Sequence, residues 1–296
     1  MDGKPLFSVI IPTCHRNEAL AECLARLAPG AQTLPFGEYE VIVTDDGTTS
    51  TAEALVGERF PWATWTQGPR RGPAANRNHG ATLARGEWLV FTDDDCLPEA
   101  GWLEAYAGAV GGSARALEGS IHPIGDMDRD LAECPVNLTG GLFWSANIAV
   151  DRALFNEVGG FDERYTTAAH EDEDLYLRIR EGAKTAYVPE AAVFHPVRVL
   201  TFRAAVSRIP RHAQTTALYY SVNSRRLGIR RWSTLVRWLY KPHMAALGRH
   251  LVHGRWGSAA LELIWLTSGN FRVLAEHRRI CRAMRRDVAR RSVPMA

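Results

Sequence analysis

Three carboxylates in a row, Asp93-Asp94-Asp95, follow the strongly apolar run Trp88–Thr92. Carboxylates grouped beyond a buried strand suit a divalent cation that bridges the two phosphates of a nucleotide diphosphate. An exposed acidic turn would use the same residues for local hydrogen bonds. A second acidic pair, Asp45-Asp46-Gly47, ends an earlier apolar run, where a carboxylate can accept a hydrogen bond from the imide of a uracil or thymine ring, or form a plain turn. His170-Glu171-Asp172-Glu173-Asp174 sets five polar side chains at a helix start, where the helix dipole alone already favours acids. Taken singly, His195 before Pro196 reads as a turn histidine and Arg77 as a surface arginine on a helix.

The elements that must position these groups alternate. Phe7–Ile11 reads as a buried strand stopped by Pro12, and Asn17 caps a helix with Leu20, Cys23, Leu24 and Leu27 at helical spacing, ended by Pro29-Gly30. Tyr39–Thr44 is a second strand, Thr51–Val56 a short helix and Trp62–Trp65 a third strand; Pro73 opens a further helix before the fourth strand, Trp88–Thr92. Both acidic clusters thus fall just past strand carboxyl ends, where ligands bind in open α/β sheets. Later, Ala116–His122 and Asn147–Val150 read as strands separated by a loop around 126–137. A helix over 151–158 ends at Gly159-Gly160, another follows His170 and closes at Gly182, and Thr185–Val188 and Val193–His195 are extended.

Composition bounds the class. With 46% hydrophobic and 23% charged residues over 296, the chain has material for one sizeable core plus an appendage, which excludes a disordered protein. Its five cysteines show no paired spacing of a disulfide framework or zinc site, so a reducing cytoplasm is expected. No run approaches the roughly 18 apolar residues that a spanning helix needs, and no signal peptide is expected. Up to Pro196 there are 15 Lys and Arg against 30 Asp and Glu; from Val197 onward there are 20 against 3. An acidic catalytic domain over 1–196 followed by a basic amphipathic helical region over 197–296 is the organisation this split implies.

The order of the motifs resembles a known family. Ser8-Val9-Ile10-Ile11-Pro12-Thr13, Val43-Thr44-Asp45-Asp46-Gly47, Gly72-Pro73-Ala74-Ala75-Asn76-Arg77-Asn78, Phe91-Thr92-Asp93-Asp94-Asp95, Gly159-Gly160-Phe161-Asp162-Glu163 and Glu171-Asp172 look like successive signatures of the family 2 glycosyltransferases. That resemblance implies a GT-A fold: a Rossmann-like, mostly parallel sheet flanked by helices, here with a helical C-terminal appendage. It implies a nucleotide-sugar site drawn from Pro12, Thr13, Arg16, Asp46, Arg77, Asp93 and Asp94, with Thr13 and Asp46 at the base, Arg77 near base or diphosphate, and Asp93 by the ribose. Asp95, as the outer member of an Asp-x-Asp motif, and His195 would hold Mn²⁺ or Mg²⁺, with Asp94 offering a second register. Asp172 matches the catalytic base of an inverting enzyme and Glu171 would orient acceptor or base; His170 stands where many members have glycine.

The expected activity is sugar transfer from a UDP-linked donor, or a dTDP-linked one, to a hydroxyl of a glycan or lipid-linked acceptor in cell-surface glycan synthesis. A retaining GT-A enzyme would need no base at Asp172. Arginines 225, 226, 230, 231 and 237 interleave with Leu227, Ile229, Trp232, Leu235, Val236, Trp238 and Leu239, a mixture suited to helices lying on an anionic membrane, on its cytoplasmic face. The same mixture could hold nucleic acid. That alternative leaves the acidic motifs without a role, so no nucleic acid is expected.

Overall fold

Buried apolar runs separated by amphipathic segments give the first part of the chain its alternating order. In the computed structural model, which describes residues 4–49 and 51–291, β1 (Phe7–Thr13), α1 (Asn17–Leu27), β2 (Tyr39–Asp45), α2 (Glu53–Arg59), β3 (Thr64–Gln67), α3 (Pro73–Leu83) and β4 (Trp88–Thr92) follow one another. β1 lies parallel to β2 on one side and β4 on the other, and β2 is parallel to β3. Phe7, Val9, Ile10 and Ile11 are fully buried, as a strand covered on both faces requires. β1 does not stop at Pro12: pairing with β4 ends at Ile10 while pairing with β2 runs on to Thr13. Pro12 therefore sits where β1 has one neighbour, and its missing N–H is tolerated there. Asn17 is not the helix cap either. Arg16 occupies that position, and the Asn17 amide donates to the Thr51 carbonyl at 3.1 Å, tying α1 to the segment after β2.

Beyond β4 come a two-residue strand, β5 (Leu97–Pro98), and a helix, α4 (Trp102–Ala109), which the periodicity does not mark. β6 (Ala116–Ile124), β7 (Ala132–Glu133), β8 (Asn147–Asp151), α5 (Arg152–Glu157), α6 (Glu171–Ile179), β9 (Thr185–Pro196) and β10 (Arg198–Val199) complete this stretch. One eight-stranded sheet results, in the order β3-β2-β1-β4-β8-β6-β9-β5. β8 runs antiparallel between β4 and β6, and β9 is parallel to β6. The two extended pieces expected at 185–188 and 193–195 are one strand whose register to β6 shifts between Gly119 and Ser120. Asn147 donates to the Ser120 and Ala191 carbonyls at 2.8 and 2.7 Å, satisfying groups that the shift leaves without ladder partners. A Cβ at Gly119 would lie 2.1 Å from the Ala191 oxygen, so only glycine fits at the shift.

The chain separates into two units: residues up to Met127 with Cys134–Val197, and Asp128–Glu133 with the chain from Arg198 onward. The eight-stranded sheet lies within the first. The second contains α7 (Phe202–Val222), α8 (Trp232–Val252), α9 (Trp256–Ile264) and α10 (Asn270–Arg291), with a π-helical turn, Trp265–Gly269, joining the last two. Ala213, Ala217, Leu235, Leu239 and Val273 form its core. β7 and β10 pair in this unit, and Asp130 accepts from the Gly257 and Ser258 amides at 2.6 and 2.8 Å, capping the first turn of α9. Among the described residues no helix is long and apolar enough to cross a membrane.

Candidate active site

The ends of β1, β2 and β4 converge on one cluster of acids and bases. Because β1 continues through Pro12, which is half-buried, Thr13 reaches the end of β4 and its hydroxyl donates to Asp94 Oδ2 at 2.7 Å. Arg16, just past β1, places Nη1 2.8 Å from Asp94 Oδ1 and its second nitrogen on Asp95. The other oxygen of Asp95 lies 3.3 Å from His195 Nε2, at the end of β9. Thr13, Asp94, Arg16, Asp95 and His195 are thus one connected set. Burial pushes the Asp94 carboxyl up to about 7, with Arg16 and Thr13 pulling the other way.

Asp93 faces elsewhere. Its Oδ1 is 2.7 Å from Arg77 Nη2, and Arg77 Nη1 is 3.0 Å from Glu171 Oε1. Arg77 is not a surface arginine: it is 3% exposed on α3, with its guanidinium 5.6 Å from the centre of the Phe161 ring. Asp46 follows β2, where its amide donates to the Thr13 carbonyl and its carboxylate accepts from the Arg70 and Gly72 amides at 2.7 and 3.2 Å. Its neighbour Asp45 turns inward to the Gly47 and Ala52 amides. The turn before α3 needs its glycines: a Cβ at Gly68 would meet Asn76 Oδ1 at 2.2 Å and Asp46 Oδ1 at 2.3 Å.

At α6 the structure separates acids that the sequence leaves alike. Asp174 is buried on Arg178 at 2.8 Å, and Arg178 in turn donates to the Val158 and Gly160 carbonyls. Glu171 is also buried, with one oxygen on Arg77 and the other accepting from the Ala169 amide at 2.7 Å. Both oxygens are thereby engaged by protein groups. Asp172 accepts from the Ser145 amide at 3.0 Å. Burial pushes its carboxyl up to about 7 and the Glu171 charge adds to this, while the Ser145 amide and Arg77 oppose it. His170, in place of glycine, has a left-handed φ of 67° and pairs through Nδ1 with Glu173 at 3.0 Å. Ser145 carries no motif and lies in a loop without periodicity, so nothing in the sequence marks it.

Ligand atoms of Asp95, Cys96 and His195 lie within 4.8 Å of one another. Burial holds Cys96 as a neutral thiol, well above its ordinary pKa, which makes it a poor partner for a hard cation. A carboxylate and an imidazole remain, a donor pair that can hold a divalent ion. His195 Nδ1 is 2.9 Å from the Pro196 carbonyl, which favours the tautomer that leaves Nε2 free to coordinate.

A family model described as Glycosyl transferase family 2 matches residues 8–130, the stretch that carries β1 to β4 with Thr13, Arg16, Asp46, Arg77 and Asp93–Asp95, while Ser145, Glu171, Asp172 and His195 lie beyond it. Over residues 8–130 the chain is similar to that family. The chain is 32% identical over 212 residues to the pre-mycofactocin glycosyltransferase of Mycobacterium tuberculosis, covering 64% of this chain and 43% of that protein. It is 28% identical over 221 residues to the validoxylamine A glucosyltransferase of Streptomyces hygroscopicus, covering 59% and 51%. The chain therefore spans about half the length of these curated relatives. Among solved structures, the mannosyltransferase PcManGT of Pyrobaculum calidifontis, in complex with GDP-Man and Mn²⁺, superposes with a TM-score of 0.60 at 20% identity, covering 93% of this chain and 88% of that one. S. aureus TarS in complex with UDP-GlcNAc gives 0.53 at 18%, covering 95% and 92%. At such identities the likeness shows the fold, and the fold is GT-A.

Proposed function

We propose that this chain transfers a sugar from a UDP-linked donor, or a dTDP-linked one, to an acceptor hydroxyl with inversion at the anomeric carbon. The observation that carries the reading is the join made by Arg77: one buried guanidinium holds Asp93, at the strand end suited to the donor, and Glu171, next to Asp172. Donor site and proton acceptor are thereby held in one framework, as an in-line displacement needs. Asp172 takes the proton of the acceptor hydroxyl as its oxygen attacks the anomeric carbon and the nucleoside diphosphate leaves; a carboxyl near 7 is a stronger base than a surface aspartate. Thr13 and Asp46 serve the nucleobase, Asp93 the ribose, and Arg16, with Asp94 beneath it, the diphosphate. Asp95 and His195 would hold Mn²⁺ or Mg²⁺, which would supply charge stabilisation for the departing diphosphate. The likeness to folds described in complex with GDP-Man and Mn²⁺ and with UDP-GlcNAc supports a nucleotide-sugar donor and a divalent ion.

For the second unit we propose attachment to an anionic membrane surface from the cytoplasmic side, with a lipid-linked or glycan acceptor in cell-surface glycan synthesis. Leu235 and Leu239 turn into the unit's own core, but Trp238, Met244 and Val252 of α8 remain exposed, with exposed Lys241 and Arg249 among them. Trp256 and Phe271 are each 69% exposed. Aromatic rings and basic heads together are what a headgroup layer binds.

Thermal-shift titration with UDP, dTDP and GDP, with and without Mn²⁺, tests the donor site; a ligand at 100 times its Kd adds about 2.7 kcal/mol. Stabilisation by UDP that requires Mn²⁺, followed by an inverted anomer in the NMR spectrum of the product, is the expected result. A retained anomer removes Asp172 as base.

A further inference from the structure

Glu118, on β6, has no part in the chemistry above, yet it is buried and accepts four N–H donors: Asn137 Nδ2 at 3.0 Å and the amides of Gly141, Leu142 and Phe143 at 2.6, 3.1 and 2.9 Å. These donors are neutral, and they come from a single irregular segment that runs from Asn137 to Ser145. Gly140, Gly141 and Phe143 all have positive φ, a conformation that a phenylalanine adopts only under constraint. A carboxylate that gathers converging backbone amides supplies such a constraint, because the segment has little sheet ladder of its own to satisfy them.

The other side of this segment meets α6. The Phe143 ring stacks on Tyr176 with centroids 4.8 Å apart and planes at 10°. Two residues on, Ser145 donates its amide to Asp172 at 3.0 Å, with its hydroxyl at 3.4 Å. The segment is a strap held by Glu118 at one end and resting on the base at the other.

We propose that Glu118 is a positioning residue for the transfer reaction: by clamping the Gly141–Phe143 backbone it holds Ser145 against Asp172 and so orients the base. This rests on the reading of Asp172 as the proton acceptor. The strap joins two parts of the first unit that no sequence motif connects, since Glu118 stands in an apolar strand and Ser145 in a loop.

The test compares the full chain with Glu118→Gln, which keeps the size but removes the charge and turns an NH₂ toward the strap amides. Hydrogen exchange at Gly141, Leu142, Phe143 and Ser145 is expected to speed up by about tenfold or more, the loss of a net hydrogen bond, with β1 and β4 unchanged. The Asp172 carboxyl, followed by carbon-13 NMR, and the pH profile of kcat should both move to higher pH, because the amide that favours the ionised form is no longer held. Binding of UDP with Mn²⁺ should stay as in the wild type. Gly141→Ala strains the same turn, at φ +89° with open space around it, while leaving Glu118 in place, and should shift Asp172 the same way. It decides the matter if Glu118→Gln does not fold. Strap amides that stay protected in Glu118→Gln, or an Asp172 titration unmoved in a folded variant whose strap exchanges faster, overturn the proposal. Wild-type protein that fails to bind any nucleotide diphosphate overturns the transferase reading instead and leaves the strap result standing.

Discussion

Arg77 Nη1 stands 3.0 Å from Glu171 Oε1, and both side chains are buried. This ion pair ties α3 to the first turn of α6, and the second nitrogen of the same guanidinium extends the tie to Asp93. Two acids and one base thus form the bridge between the strand ends and the helix that carries Asp172.

Removing the shared cation leaves Glu171 charged and without its partner inside the protein. Arg77→Ala should therefore cost about 3–5 kcal/mol, the range for breaking a buried pair from one side. Urea unfolding measures it. Arg77→Lys keeps the charge but cannot span both carboxylates, and should fall between wild type and Ala. A loss under about 1 kcal/mol for Arg77→Ala, the range of exposed pairs, contradicts the bridge.

Asp94 predicts a pH dependence of stability. Its carboxyl is raised in the fold from 3.8 to about 7, so between those values the folded protein holds a proton that the unfolded chain has released. Stability from this group is present at low pH and is lost as pH rises through the window, by an amount on the order of a few kcal/mol. Asp94→Asn is neutral throughout. Its Tm relative to wild type should rise from pH 5 to pH 8 in metal-free buffer; a difference that does not change with pH rejects the assignment.

Asp95→Ala should abolish metal-dependent binding of UDP while leaving the far-UV spectrum intact. His195→Ala should weaken that binding less, because one carboxylate then remains to neutralise the ion. Calorimetric titration of UDP in Mn²⁺ and in EDTA reads both. Normal metal-dependent affinity in the Asp95 variant would remove Asp95 from the metal site.

The strand ends that carry Asp46 and Asp93–Asp95 were legible in the sequence because their signals are local. The apolar runs of β2 and β4 end in acids, and a period-two or continuous apolar pattern locates such ends without knowledge of the tertiary fold. The small errors have local causes as well: Pro12 stays in β1 because one edge is already unpaired, and Asn17 gives up its cap for Thr51. The start of α6 was less legible. Asp172 and Asp174 sit in one polar run with the same composition around them, and only the partner Arg178 on one and Ser145 on the other separate them. Nothing in the sequence shows that Arg77, far away along the chain, closes on Glu171. The strap from Glu118 to Ser145 depends on contacts between a strand and an aperiodic loop, which no pattern encodes.

The second unit should bring the chain to vesicles containing anionic lipid, and 0.5 M salt should release it, since basic residues near such a surface contribute on the order of 1 kcal/mol each and are screened. Trp256→Ala with Phe271→Ala should weaken binding at low salt without changing UDP affinity. Co-sedimentation measures it, and an intact protein that ignores anionic and neutral vesicles alike contradicts the membrane reading.

The most direct test of the account is single-turnover transfer by Asp172→Asn. The amide keeps the size of the carboxylate and cannot take a proton, so transfer should slow by about 10² to 10⁴ while the affinity for UDP with Mn²⁺ stays at the wild-type value. In the wild type the rate should climb as pH rises through about 7, where Asp172 ionises. A variant that transfers sugar at nearly the wild-type rate, with the same dependence on pH, contradicts the central claim.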